Sequence, residues 1–278
     1  LTLGLMLVYS LMNYFKIRTP KMIKIPLISV FAILLSTMTS VAIADDHAKK
    51  ETSTGTQQPA GVNTLSCNFL PGKDMDDYMK VVNKYNEWAD ENNPNPQSAW
   101  VFIPSFFATR AHDFYWVGAS PSRLEAAQNM DYWMENGSSL GKQFQKVTDC
   151  DQSQLWAGQT IYASDNFEDL PRGMVGAQSC KIHAGKSWSD VGEATRKIEQ
   201  IVMDAGVTNR AVYRWQPREG VDRSKTDFLN LFVSETMEQR IRNGNMLSEA
   251  KAWPKIREIN NSVMSCRSLG MSRFIKVR

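Results

Sequence analysis

The sequence lacks any cluster of basic residues. Its 278 residues hold 32 Lys and Arg against 29 Asp and Glu, and the basic residues form neither a run nor a stripe. Proteins that bind nucleic acids concentrate Lys and Arg on one surface. We therefore exclude nucleic acid as a partner.

Metal-binding and redox motifs are also absent. The three histidines form no HxH or HxxxH pair, and the four cysteines form no CxxC. Zinc sites and thiol exchange depend on such spacings. His47 lies in a polar segment and His112 in the loop sequence TRAHDF, where a metal or haem role is disfavoured. We predict no metal site.

The first 44 residues have the layout of a secretory leader. Lys21 and Lys24 precede the apolar run IPLISVFAILL, and SVAIA ends with small residues at Ala42 and Ala44. This pattern predicts a signal peptide cut after Ala44 and a periplasmic or secreted protein. The alternative is an uncleaved anchor, since residues 25–44 are long enough to span a bilayer. Either way, the membrane is contacted only through the leader.

A polar tether is predicted to follow the leader, over residues 45–62. The sequence DDHAKKETSTGTQQPAGV has no large apolar side chain, so it cannot bury enough surface to offset its ordering entropy. The leader holds four basic residues and no acidic one, which leaves 28 basic and 29 acidic residues, a net charge of −1. The basic character of the whole chain thus comes from the leader.

The rest of the chain contains an internal repeat. CNFLPGKDMDD from Cys67 matches CKIHAGKSWSD from Cys180, and WVFIP from Trp100 matches YRWQP from Tyr213. Further matches join Asp113-Phe114 to Asp227-Phe228 and Cys150 to Cys266, at offsets of 113 to 116 residues. A unit of about 110 residues is the size of a small domain. The repeats are predicted over residues 63–163 and 177–278.

Each repeat predicts the element order β-α-β-β-α-β. A short strand precedes an amphipathic helix, which in the second repeat is stopped by Gly206. Two strands, a long helix and a final strand follow, and Gly137 and Pro254 are predicted to interrupt the long helices. This order is that of the ferredoxin-like split unit, so we predict an α+β protein with two tandem ferredoxin-like units.

Two such units in one chain resemble the dimeric α+β-barrel superfamily. The resemblance implies that the two sheets pack face to face as a barrel within the chain, with helices outside. That superfamily includes cofactor-independent monooxygenases, NIPSNAP-like proteins and haem enzymes such as chlorite dismutases. Its haem barrels use a helical histidine, and neither His112 nor His183 falls on a predicted helix. We predict no cofactor.

Four cysteines in an exported chain predict two disulfides. Three pairings are possible, and the repeat symmetry favours Cys67–Cys150 and Cys180–Cys266.

Strand alternation assigns residues to two faces of each sheet. We expect the aliphatic Leu229, Leu231 and Val233 to face the helices. The opposite, open face of the second repeat then holds Lys181, His183, Arg214, Gln216, Phe228, Asn230 and Phe232. The open face of the first repeat is apolar and holds Asn68, Leu70, Val101, Ile103, Phe114, Trp116 and, from the last strand, Trp156.

These faces suggest a small-molecule site between the two sheets. His183 is the candidate for proton transfer, Arg214 for holding an anionic oxygen and Asn230 for donating a hydrogen bond. Lys181, Gln216, Phe228, Phe232, Trp116 and Trp156 are the candidate ligand contacts. The hypotheses are binding of a small apolar or aromatic molecule, a cofactor-independent monooxygenase, and a structural or envelope-interaction protein. An open face that simply meets solvent, or a protein interface, would have a similar composition.

Overall fold

The computed structural model describes residues 58–107, 111–165, 167 and 170–278. The predicted leader and most of the predicted tether lie outside the described residues. The first strand already begins at Ala60, so the expectation that the tether continues to residue 62 is wrong by three residues.

The described residues form eight strands and six helices in two successive halves. The first half consists of β1 (Ala60–Phe69), α1 (Met75–Asn92), β2 (Ser98–Phe106), β3 (Phe114–Ser120), α2 (Arg123–Asn136), α3 (Ser138–Phe144) and β4 (Thr148–Ala163). The second half consists of β5 (Arg172–Ile182), α4 (Trp188–Asp204), β6 (Ala211–Pro217), β7 (Phe228–Ser234), α5 (Met237–Glu249), α6 (Ala252–Val263) and β8 (Met264–Lys276).

The eight strands close into one antiparallel barrel. Their order around the barrel is β1-β3-β2-β8-β5-β7-β6-β4. The two halves meet where β2 pairs with β8 and where β4 pairs with β6. The predicted mixed α+β barrel within a single chain is therefore confirmed.

Local sequence signals explain the ends of the helices. Asp74, Ser122, Ser187 and Thr236 each accept a hydrogen bond from the backbone of the first turn of a helix. Gly206 follows α4 with φ of 79°, in the left-handed region that glycine favours. The long helices are interrupted as predicted, between α2 and α3 at Gly137 and between α5 and α6 shortly before Pro254.

Each half is closed by one disulfide between its first and last strands. Cys67 bonds Cys150 and Cys180 bonds Cys266, as the repeat symmetry predicts. The bonds join residues that are directly paired in the sheet. Two disulfides are typical of a protein that folds in an oxidising compartment.

Apolar residues form two kinds of core. Outside the barrel, α1 packs on β1 to β3 through Tyr78, Val82 and Phe114, and α4 packs on β5 and β7 through Val191 and Phe228. Inside the barrel, side chains of strands that are not neighbours join one cluster, which includes Leu231 of β7 and has Phe102 of β2 packed against it. Both faces of the sheet are therefore buried. Within the described part of the chain, no helix has the length and hydropathy needed to cross a membrane.

Candidate functional site: the cleft between sheet and helices in the second half

The strand register of the second half corrects the predicted faces. Phe228 of β7 pairs with Cys180 of β5, and Cys180 packs against α4. Because directly paired residues point to the same side of a sheet, Phe228, Asn230 and Phe232 face the helices rather than the barrel interior. Leu229, Leu231 and Val233 fill the interior, so the expected assignment of β7 is wrong by one residue.

The same correction applies to β6 and to the first half. Arg214 pairs with Asn230 and shares its helix-facing side. In the first half, Val101, Phe114 and Trp116 pack against α1 and not against the other sheet. Trp156 does lie inside the barrel, beside Val62 and Trp215, where its indole N–H donates to Thr64 Oγ1 at 3.2 Å.

Arg214 is held rigidly on the outer face of the barrel. Its Nε donates to Asn230 Oδ1 at 3.0 Å, and its Nη2 donates to Thr195 Oγ1 of α4 at 2.9 Å. Its guanidinium lies over the ring of Phe228, 4.7 Å from the centroid. Only 5% of Arg214 is exposed to solvent. Three of the predicted site residues, Arg214, Asn230 and Phe228, are thus brought together.

The buried Arg214 charge has no carboxylate partner. Within the described residues, no Asp or Glu oxygen lies at ion-pair distance from its guanidinium, and Nη1 makes no hydrogen bond. Burial lowers the pKa of Arg214 to about 10, while the more distant Glu199 raises it. The side chain therefore remains protonated at neutral pH. A buried charge without a counter-charge is energetically unfavourable.

Two further arginines face the same cleft. Arg210 forms an ion pair with Glu199, at side-chain exposures of 10% and 16%. Arg240 of α5 lies against Gly176 of β5, where a Cβ would come within 2.8 Å of Arg240 Nη2. Burial lowers the pKa of Arg240, and the described residues offer it no carboxylate. The cleft thus contains three arginines and one carboxylate.

The cleft encloses a cavity of about 560 Å³ between the sheet and α4, α5 and α6. Apolar side chains cover much of its wall, and amide and hydroxyl groups lie among them. The apolar members include Ile198, Val202, Phe232, Leu247, Trp253 and Ile256, and the polar ones include Gln178, Asn243, Ser248 and Asn260. A cavity of this size and make-up can hold a small organic molecule.

The matching cleft of the first half has a volume of about 470 Å³, and none of its described lining residues is an arginine. Tyr85, Trp116 and Trp133 occupy it, with Tyr85 and Trp133 rings 5.5 Å apart. The Tyr85 hydroxyl donates to Gln97 Oε1 at 2.7 Å, and burial raises the pKa of Tyr85. This cleft is an aromatic core with a partly open surface.

A third cavity, of about 360 Å³, lies within the barrel. Its walls include the side chains of Trp100, Phe102, Tyr213, Trp215, Leu231 and Phe274. Its position corresponds to the space between the two sheets. Of the predicted site residues, Trp156 alone shares this interior.

The remaining predicted site residues lie at the far end of the second half. His183 follows β5 and lines a separate cavity with Gln216. Lys181 Nζ forms an ion pair with Asp227 Oδ1 at 2.8 Å. Burial raises the pKa of Asp227, but hydrogen bonds from Lys181 and the Ile182 N–H hold it below its ordinary value. His183 is therefore not assembled with Arg214 and Asn230.

Residue patterns alone do not identify Thr195, Arg210 and Arg240 as site residues. Thr195 and Glu199 are four residues apart, so they lie on the same side of α4, next to its apolar face. This spacing is the one sequence signal that polar groups of α4 face the sheet. Arg240 comes from α5, and its guanidinium lies in the space that the missing side chain of Gly176 leaves beside β5.

The described histidines do not fit haem ligation. His112 lies between β2 and β3, where its Nδ1 is 3.9 Å from Asp151 Oδ1, and His183 lies in the turn before α4. Neither stands on a helix, and no histidine lines either cleft within the described ranges. Those ranges also contain no group of three His, Cys, Asp or Glu residues arranged to hold a metal ion.

Comparison with known proteins finds similarity in structure only. No family model matches the chain, and no curated protein matches its sequence. A candidate chlorite dismutase superposes with a TM-score of 0.51 at 12% identity, covering 80% of this chain and 96% of that one. A candidate monooxygenase from Fusobacterium nucleatum superposes with a TM-score of 0.51 at 11% identity, covering 80% and 94%. The chain therefore shares the overall fold of these two proteins.

Proposed function

We propose that the protein binds a small, partly apolar organic anion in the cleft of its second half. The observation that carries the proposal is the buried, protonated Arg214 without a carboxylate partner. An acidic group of the ligand would offset the unfavourable burial of this charge.

The environment of Arg214 suits a carboxylate or a similar planar anion. Nε and Nη2 are occupied by Asn230 and Thr195, which fix the plane of the guanidinium and leave Nη1 to donate to a ligand. Arginine pairs well with oxyanions because its donors have a rigid geometry. Arg240 of α5 supplies a second positive charge in the lining of the same cleft.

The apolar part of the ligand would lie on the helices. Ile198 and Val202 of α4 and Leu247 of α5 lie on the helix side of the cavity. Ile241 is 58% exposed and Trp253 is 40% exposed, and both line the same cleft. Such exposed apolar groups are favourable where a ligand covers them.

Binding is better supported than catalysis. A monooxygenase-type reaction at this site would use Arg214 and Asn230 to stabilise negative charge on the substrate. A general base is not evident, because the one carboxylate of the lining, Glu199, is paired with Arg210, and His183 lines another cavity. Oxygen-dependent turnover of electron-rich aromatic substrates would favour the enzyme. A purely structural or envelope role leaves the unpaired Arg214 unexplained.

The architecture supports a tandem-unit interpretation of the chain. In each half the last strand pairs with the first, and the order is fourth, first, third, second. This is the order of a ferredoxin-like unit, and we interpret the two halves as such units in an exported protein held together by two disulfides.

A titration with 8-anilinonaphthalene-1-sulfonate, an aromatic anion that fluoresces in apolar surroundings, tests the proposal. The full chain is prepared under oxidising conditions, and Arg214→Met is compared with Arg242→Met. Arg242 is a surface residue paired with Glu238, so its replacement removes the same charge away from the cleft. We expect Arg214→Met to weaken binding at least about tenfold and Arg242→Met to leave it unchanged. Equal binding by both variants would contradict the proposal.

A further inference from the structure

The interior of the barrel differs from the cleft in its chemistry. Among the described residues, the lining of the 360 Å³ interior cavity contains no Asp, Glu, Lys, Arg or His. Six aromatic residues of the described chain lie on its walls: Trp100, Phe102, Phe167, Tyr213, Trp215 and Phe274. The polar groups of the lining, such as Gln97, Ser98 and Thr160, are uncharged.

Small residues keep one end of this cavity open. Ala119 of β3 pairs with Val62 on one side and Ser98 on the other. Gly158 of β4 pairs with Ala60 and with Trp215, and a Cβ at Gly158 would lie 2.9 Å from Val62 Cγ2. Larger side chains at Ala119 and Gly158 and at the residues paired with them would fill the space, as side chains do in most protein interiors.

The interior of this eight-stranded barrel is not completely filled by its own side chains. Such barrels are either filled by their own side chains or hold one small ligand. An apolar cavity of about 150 Å³ is enough to hold benzene. The interior cavity, at about 360 Å³, therefore has room for a molecule of two or three rings.

We infer that the barrel interior is a second binding site, for an uncharged and largely aromatic molecule. The absence of charged groups disfavours an ionic ligand, because its charge would be buried without a partner. The aromatic walls favour ring-shaped ligands, which pack on them edge to face or in offset stacks. The neutral rim groups can orient one polar atom of the ligand.

The same two strands separate the two sites. On β6, Arg214 points to the cleft, while Tyr213 and Trp215 point to the interior. On β7, Asn230 points to the cleft and Leu231 to the interior. Val233 borders both cavities, and the other described lining residues of the interior site differ from those of the cleft. The interior site therefore does not depend on the anion proposed for the cleft.

A matched probe distinguishes the two sites. N-phenyl-1-naphthylamine has the ring system of the anionic probe without its sulfonate. We expect it to bind the full chain saturably, with a rise in fluorescence. Ala119→Trp should fill the open end and weaken this binding at least about tenfold. Arg214→Met, and Ala250→Trp at the exposed end of α5, should leave it unchanged.

Ser98→Phe is a second blocking variant, because Ser98 is the first residue of β2 and lines the same cavity. It keeps the test available if Ala119→Trp does not fold, which circular dichroism and thermal melting report. The inference is overturned if the wild-type chain does not bind the neutral probe, if folded blocking variants bind it as well as wild type, or if Arg214→Met abolishes binding.

Discussion

The clefts of the two halves occupy equivalent places but contain different chemistry. Val101 pairs with Trp116 on the central strands of the first half, and Arg214 pairs with Asn230 at the matching positions of the second. Val101 is fully buried in an apolar cluster, whereas Arg214 is buried beside a cavity and lacks a counter-charge. The first half has the same fold without a charge at this position, and the ligand role proposed for Arg214 rests on that difference.

The residues around the Val101–Trp116 pair resemble those around the Arg214–Asn230 pair. Phe114 and Phe228 are both fully buried on the third strand of their unit. Asp113 accepts from the Phe69 N–H at 2.9 Å, and Asp227 accepts from the Ile182 N–H at 2.8 Å. The difference between the halves is thus concentrated in the cleft. Substitutions in the clefts and in the rest of the fold should separate residues that stabilise the fold from residues that serve the proposed ligand.

Placing an arginine in the first cleft, as in the second, should cause the largest loss in the free energy of unfolding. Val101→Arg would bury a guanidinium in a cluster that includes the apolar and aromatic side chains of Tyr78, Val82 and Trp116. We expect a loss of about 3–5 kcal/mol in the free energy of unfolding, measured by urea denaturation with the disulfides intact. Val101→Met, which adds length without charge, should lose about 1–3 kcal/mol. Equal losses for the two variants would show that the charge is tolerated.

Truncation inside the barrel should have the next largest effect. Leu231 is 4% exposed and packs with Val175 and Phe274. Because it already borders a cavity, Leu231→Ala should lower the free energy of unfolding by about 2 kcal/mol, the low end for a buried leucine. His183→Ala should change it by less than about 0.5 kcal/mol. Thermal melts that ranked these two variants in the opposite order would contradict the observed faces of the strands.

Asp227→Asn should have a smaller, pH-dependent effect. Its folded pKa lies below its ordinary value, so the carboxylate stabilises the folded state at pH above about 4. This contribution disappears as the pH falls through the folded pKa. We expect the variant to be about 1 kcal/mol less stable than wild type at pH 7 and to match it near pH 2. A difference that persisted in acid would exclude the carboxylate charge as its cause.

Much of the architecture was predictable because the repeat constrains it twice. The offset of 113 residues between Cys67 and Cys180 is close to the offset of 116 between Cys150 and Cys266, and this symmetry selects the observed pairing from three. Gly137 and Gly206 mark helix ends through local conformational preferences. The helix-end signals depend on a few neighbouring residues, and the disulfide pairing depends on the repeat. Both can therefore be recognised in the sequence.

The alternation of residues along the strands does not by itself predict on which side of the sheet the site lies. Arg214, Asn230 and Phe232 were correctly placed on one face, because they alternate along two adjacent strands. Alternation does not tell which side of the sheet this face is on, because β7 carries apolar side chains on both sides. Helices cover one side of β7, and the barrel interior lies on the other. The pairing of Phe228 with Cys180 resolves the choice, and it depends on strand register. Thr195 and Arg240 reach the site from helices, whose rotation no strand pattern reports.

The most direct test of this account is the stability of Arg214→Met in the absence of ligand. If Arg214 serves a ligand, replacing it with an apolar side chain of similar length should leave the free energy of unfolding within about 1 kcal/mol of wild type or raise it. Urea denaturation of both proteins, with circular dichroism as the probe, measures this difference. A loss of about 3 kcal/mol or more would show that Arg214 holds the fold together and would contradict the account.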